Sequence, residues 1–430
     1  MSRLVKRGPA LLILLAQWSA GCDPGGPPPG AEERADAAGP VERWDSAGVA
    51  IVENRTPAWA AGEAWQIERE PALQIGVREG EAPYEFGSVA DAAAFPDGRI
   101  AVADGSEIRV FDAEGNHLTA LGGEGPGPGE FEGGMLPGDG APLIRAAPPD
   151  TLVAWDLRRR GLSRFALDEG VLSDRLLAAA VHQAILQPSP GSQRWEVGED
   201  GRVLKRHVSV DRTDPQQPEY WVEPILFTDD GGVVRSEPIF QGTGFQLPRD
   251  GERGLELARA FFTQVRSDLG PAPYAVALTE AEAWEVRLLD AEGKLAAIWR
   301  ADVPREPVTE ERLREERDRF AEPRNLRPGA VEEAYRAIGV PDSVPAISDL
   351  RRDREDRLWV ARRPPEGGPP AEHDVVSPEG RWLGTVEIPE NLGRILEIGD
   401  DYLLVTWRDE LDIEYLRKHR IVKPAHPESG

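Results

Sequence analysis

Between Val89 and Phe131 the chain alternates apolar and polar residues in short runs set off by Asp/Gly turns. Arg99–Asp104 follows Pro96-Asp97-Gly98, Glu107–Phe111 ends at Asp112-Ala113-Glu114-Gly115, and His117–Leu121 leads into a Gly/Pro loop. Side chains two apart share one face of a strand, so this period predicts antiparallel strands in a small up-and-down sheet. Blurred copies recur at Thr151–Leu167, Gly201–Phe227, Tyr274–Trp299, Arg357–Val376 and Tyr402–Val422. In the last copy, Ile413–Leu416 and His419–Val422 read as separate strands. The spacing is ~50–60 residues where uninterrupted, a period of repeat architectures with long loops.

A lone unit of this kind cannot bury both of its faces, whereas stacked units share a continuous core. The early runs Val49–Glu53 and Trp65–Ile75 precede the first copy and have no partner there. One of them is expected to complete the last unit and close the ring. Thr309–Gly339 breaks the pattern, with Val331, Ala334, Tyr335 and Ile338 at helical spacing before Gly339 and Pro341. A pair of short helices is predicted over about 309–339. Asp211–Pro218 and Gly242–Gly254 read as loops.

The pattern DGRIAVAD…IRVFDAEGNHL…GGEGPGPGEF resembles a repeat of the NHL type of β-propeller. The whole chain resembles the six-bladed propeller lipoproteins of bacteria. The resemblance implies an all-β fold, a six-bladed β-propeller of four-stranded antiparallel blades over 42–424, with a small helical insertion. It also implies a binding role and supplies no catalytic motif.

Met1–Gly21 carries Arg3, Lys6 and Arg7, then the apolar run Ala10–Ala16 and small residues before Cys22, as a secretory signal peptide does. Cys22 is the sole cysteine, so the chain forms no internal disulfide. Its place resembles a bacterial lipobox, which makes it the expected lipidation site, although Ser19 stands where Leu is usual. Residues 22–41 are rich in Pro, Gly, Ala and Glu and are expected to be a disordered tether; 425–430 is expected to be a disordered tail.

With 50 Lys and Arg against 76 Asp and Glu, the formal charge is −26. That balance repels phosphate backbones and anionic lipid, arguing against nucleic acid and leaving the acyl anchor as the membrane link. The six histidines are scattered, with no zinc-ligand spacing and no nucleophile elbow nearby. The run Gly122–Gly129 lacks the GKS/T ending of a phosphate loop, and its prolines remove amide donors. Asn54-Arg55-Thr56 fits a glycosylation sequon but is followed by Pro57. Trp155, Trp284, Trp299, Trp359 and Trp407 fall in or beside strands, where packing between blades is their expected role.

One column stands out as a candidate ligand site. Asp104, Asp156 and Arg362 occupy one equivalent strand exit, with Arg408 and Asp409 just past it in the last unit. In a propeller such positions ring the channel mouth, where mixed Asp and Arg orient a polar ligand; the competing role is capping of turn N–H groups. The expectation is an exported, lipid-anchored binding or assembly module of the cell envelope, periplasmic or on the outer surface. Its partner would be an envelope protein or a small polar or glycan ligand. No cofactor and no metal are expected. The alternatives are a lactonase-like hydrolase or lyase using a divalent cation, calcium first, and a glycan-binding protein.

Overall fold

The computed structural model describes residues 40–132, 141–177, 179, 181, 195–211, 213–214, 219–236, 240–243, 245–249, 252–257, 266–270, 274–279, 283–321, 326, 329–364 and 371–424. The expected signal peptide, Cys22, most of the tether and the tail lie outside the described residues.

The predicted unit is a four-stranded antiparallel meander: Val89–Ala94, Ile100–Asp104, Glu107–Phe111 and His117–Gly122. Asp and Gly close its turns. Asp112 Oδ1 accepts the N–H groups of Glu114 (3.0 Å) and Asn116 (2.7 Å), and Gly115 takes φ +86°. Asp290 and Gly293 rebuild the same turn further along. Naming each meander by its first residue, the Leu143 meander continues through Thr151–Asp156, Gly161–Ala166 and Gly170–Leu176. The Trp195 meander contains Val203–Asp211, Glu219–Phe227 and Val233–Arg235. The Arg266 meander contains Val276–Thr279, Glu285–Leu289 and Leu295–Ala301. The Ile347 meander contains Leu358–Arg362, Glu372–Val376 and Trp382–Glu387. The Arg394 meander contains Tyr402–Arg408 and Glu414–Val422.

First strands adjoin first strands. Arg394–Ile398 lies beside Val89–Ala94, and the contacts continue through Leu143–Ala147, Trp195–Val197, Arg266–Leu269 and Ile347–Arg352. The Arg354 N–H donates to Ile398 O (3.1 Å), linking the Ile347 meander back to the Arg394 meander. Meanders packed face to face about an axis make a β-propeller. Both faces of each meander are therefore buried, and alternation sorts two cores rather than core and solvent. Ile100, Val102 and Phe111 pack toward Leu396, Leu404 and Leu416, whereas Ala101, Ala103, Ile108 and Val110 pack toward Ile144, Leu152 and Phe165. Trp155, Trp284, Trp299 and Trp359 are buried between meanders, as expected of packing residues. Trp407 is half-buried under the Arg417 guanidinium.

The N-terminal runs form a strap across three meanders. Val49–Asn54 pairs in parallel with Leu295–Ala301, and Val41–Ser46 adds outside it. Trp59 N–H then donates to Leu383 O (2.7 Å), and Gln66–Ile67 bridges Glu387 to Val422. Leu73–Ile75 finally pairs with Leu416–Lys418 as the fourth strand of the Arg394 meander. The partner expected from Trp65–Ile75 is thus present, and Val49–Asn54 has another use.

Two readings need correction. Ile413–Leu416 and His419–Val422 are one continuous strand, Glu414–Val422, because Arg417-Lys418 between them has no turn-forming residue. Gly242–Gly254 is not loop throughout: Phe245–Arg249 and Glu252–Leu257 pair antiparallel. Gly244, Pro248 and Gly251 concealed the alternation of Phe245, Leu247, Leu255 and Leu257. The predicted helices are present as α1 (Glu310–Ala321) and α2 (Ala330–Ile338), packed around Val331, Ala334 and Tyr335.

Candidate functional site: the axial cavity

Successive strands reverse direction, so first strands start and second strands end on one face. The Val203–Asp211/Glu219–Phe227 hairpin, with nine residues per strand, extends on this face. The α1–α2 insertion joins the end of Leu295–Ala301 to the start of Ile347–Arg352, and so leaves from the same face. A cavity of about 770 Å³ opens among the first strands, lined by Asp91, Arg145, Glu196, Arg351, Arg394, Arg408 and Glu414 together with Ser88, Leu157, Trp195 and Thr406.

Carboxylates along the axis, some of them lining the cavity, pin one meander to another. A first strand has no strand partner on its axial side, so its N–H groups there need other acceptors. Glu414 accepts the Val89 N–H (2.5 Å) and Glu397 that of Ala94 (3.1 Å). Asp91 accepts Ala92 N–H and Ile144 N–H, each at 3.0 Å, and Asp268 accepts the Arg352 N–H. Burial raises the Asp91 pKa against the opposing pull of Arg145 3.5 Å away and of those two amides. Burial also works against the Arg145 charge, yet Asp91, Asp268, Glu397 and Glu196 hold its pKa above the ordinary value.

At the far end, Arg354 reaches from the Ile347 meander to Ala94 O (2.8 Å) and Ala146 O (2.9 Å). It pairs with Glu397 at 3.1 Å, and the Tyr402 hydroxyl donates to the same carboxylate (2.6 Å). Burial and the Glu397 charge push the Tyr402 pKa up, keeping that hydroxyl a donor.

Arginine defines the mouth wall. Arg394 donates to Val89 O (2.7 Å) and Ala90 O (3.2 Å), and it has no carboxylate within 4 Å among the described residues. Burial lowers its pKa, partly countered by Asp91 and Glu414. Arg351 is held through Nε by Asp349 (3.3 Å) and stays partly exposed. Arg408 pairs with Glu414 (2.6 Å).

The expected column is present as a position: Asp104, Asp156, Arg362 and Arg408 are each the last residue of a second strand. Of these only Arg408 lines the cavity. Asp104 is buried, accepting the N–H groups of Gly87 (3.1 Å) and Ser88 (2.6 Å) beside Arg109. Asp156 is buried too, taking Glu132, Arg158 and Arg159 amides at 2.8–3.0 Å. Arg362 is clamped by Asp374 and Glu372 (both 2.8 Å). Asp409 accepts the Ile413 and Leu411 amides, which lowers its pKa. In the Gly122–Gly129 run, Glu130 occupies the Gly127 N–H (2.8 Å), and Gly122 has φ +89° where a Cβ would meet Phe131 at 2.4 Å.

The sequence reading missed the first-strand charges. Their signal is a triplet of acidic, aliphatic and glycine residues: Glu196-Val197-Gly198, Asp268-Leu269-Gly270 and Glu397-Ile398-Gly399. By register, Glu196, Asp268, Arg351 and Glu397 are equivalent. Among the described residues no three His, Cys, Asp or Glu side chains form a cation-binding group, and no helix is long and apolar enough to cross a membrane.

No protein-family profile matches the chain, and no curated protein is significantly similar. Solved structures are similar at low levels. A Bacteroides fragilis protein described as exported is 13% identical, with a TM-score of 0.43 over 87% of this chain and 100% of that one. A streptogramin B lyase is 7% identical, with a TM-score of 0.36 over 85% and 100%. A virginiamycin B lyase from Staphylococcus aureus is 9% identical, with a TM-score of 0.35 over 84% and 90%.

Proposed function

We propose that this protein is an exported, lipid-anchored binding module of the bacterial cell envelope. In this reading it is a six-bladed propeller of the NHL type, with Cys22 as its acylated anchor. Its ligand is a small polar molecule entering the axial cavity. The observation that carries this reading is the cavity itself: about 770 Å³, lined by charged side chains of both signs, on the face from which the long insertions leave. That volume lies in the range of small-molecule sites, and insertions confined to one face of a repeat fold mark its binding face. Asp91 and Glu414, fixed by backbone amides, and Arg394, fixed by backbone carbonyls, preorganise the wall, and no cation is part of the reading.

The test is a thermal-shift screen of polar metabolites and oligosaccharides against the wild type and a cavity-filling Ser88→Trp variant. Ligands of the cavity should stabilise the wild type saturably and lose that effect in the variant. Equal stabilisation of both would place binding elsewhere and defeat the reading. Calcium should produce no saturable shift; a saturable one would favour a cation-dependent hydrolase.

A further inference from the structure

We propose that the cavity ligand is an organic oxyanion, bearing a carboxylate or phosphate group that docks between Arg351 and Arg394; this rests on the binding reading above. Four arginines and three carboxylates line the cavity, a formal +1 in a chain of −26. The local sign thus opposes the global one. Two of the three carboxylates have both oxygens engaged. Asp91 has each oxygen on a backbone amide, with Arg145 alongside. Glu414 gives one oxygen to the Val89 amide and the other to Arg408.

Arg394 and Arg351 are not used up in this way. A guanidinium carries five N–H donors, and a carboxylate or phosphate accepts them in pairs. Among the described residues Arg394 contacts only backbone carbonyls, which fix its plane without neutralising its charge. The terminal nitrogens of Arg351 have no hydrogen-bond partner among the described residues, since only its Nε engages Asp349. Arg351 and Arg408 each disfavour the Arg394 charge, so an added anion relieves repulsion as well as forming new bonds. Arg354 spans the opposite end of the axis, which leaves the insertion-bearing face as the approach.

The experiment is calorimetric and thermal-shift titration of the full chain with citrate, inorganic phosphate, glucose 6-phosphate and, as a neutral probe, maltose, all at constant ionic strength. At least one anion should bind saturably. Arg394→Gln and Arg351→Gln should each weaken it tenfold or more, while Arg417→Gln on the outer surface should leave it unchanged. Citrate binding without the phosphates would assign a carboxylate, and the converse a phosphate. Anion effects that survive both substitutions, or no saturable anion binding, overturn the proposal. Maltose binding that Ser88→Trp abolishes, without anion binding, overturns the oxyanion alone and leaves the cavity reading standing. Matched melting curves of the unliganded variants separate lost binding from lost fold.

Discussion

Asn54 is the residue on which the N-terminal strap should fail first. It is fully buried at the end of Val49–Asn54, where the strap leaves the Arg266 meander for the Ile347 meander. Its Nδ2 donates to Arg300 O (3.1 Å) and Gly380 O (2.9 Å), and its Oδ1 accepts the Trp382 N–H (2.9 Å) and Arg381 Nη1 (3.3 Å). One amide therefore fastens the strap to both meanders. Asn54→Ala strands the buried Trp382 N–H and weakens two carbonyls. An unsatisfied buried group costs about 1–3 kcal/mol, so a loss of about 3–4 kcal/mol is expected for the set. Unfolding entropy of about 2 cal/mol/K per residue, over a unit of about 390 residues, converts this into a Tm drop of about 4–5 °C. Differential scanning calorimetry of wild type, Asn54→Ala and the exposed control Glu410→Ala measures it. Asn54→Asp should be worse, since a carboxylate would face the two carbonyls that the amide now serves. A shift under about 1 °C for Asn54→Ala, matching the control, would refute the clamp.

Four further outcomes follow from the same structure. Deleting Val41–Ile75 removes the fourth strand of the Arg394 meander and exposes an edge, so that protein should aggregate or lose cooperative unfolding, while deleting Asp23–Pro40 should barely change the melting curve. His373 is buried with its pKa lowered by burial to about 4, so the folded state holds it neutral and stability is lost as pH falls from about 6.5 to 4. That loss, on the order of 3 kcal/mol, should be absent from the difference between pH 7 and pH 4 melts of His373→Leu. Lys205 is buried over the Trp195 ring with its pKa lowered by burial to about 8, so its charged form strains the fold below that pH, and stability should rise between pH 8 and 10.5; Lys205→Met should therefore be more stable than wild type at pH 7 by about 2–3 kcal/mol, with the gap closing toward pH 10.5 in paired denaturant titrations. Cys22→Ser should move the protein from the membrane to the soluble fraction, and a wild type already in the soluble fraction would remove the anchor.

What the sequence made legible, and what it hid, follows from where each strand finds its partners. Second and third strands pair within a few residues across an Asp/Gly turn, as Ile100–Asp104 does with Glu107–Phe111. Their pattern is local, and the alternation survives because both faces are filled by neighbouring meanders. First strands lack that signature. Val89–Ala94 is mostly alanine beyond its charged residue, and Trp195–Val197 is three residues long. Their polar groups answer to the adjoining meander: Glu414 caps Val89 from 325 positions away, and Asp91 caps Ile144 from 53. No window along the chain contains both partners of such a bond.

The same geometry explains the placement of the candidate site. Aligning repeats on their clearest strand selected the exits of second strands, where a terminal Asp meets the amides of a tight connection close in sequence, as Asp156 meets Arg158 and Arg159. The axis is lined instead by the strand that enters each repeat. There a carboxylate must replace the hydrogen bonds that a missing strand would have made, and an acidic residue repeats at one register before an aliphatic residue and glycine. Ala93, Arg145 and Arg351 hold the same register without a carboxylate, and Arg145 is paired there with Asp91. At Arg351 the place of the acidic pin is taken by a guanidinium held, among the described residues, only by its own Asp349, two residues back. From this register Asp268 and Glu397 each accept an amide of the next meander, a task in which Arg351 takes no part. That departure, next to an Arg394 anchored on carbonyls alone, makes this side of the cavity the part of the axis available for a ligand.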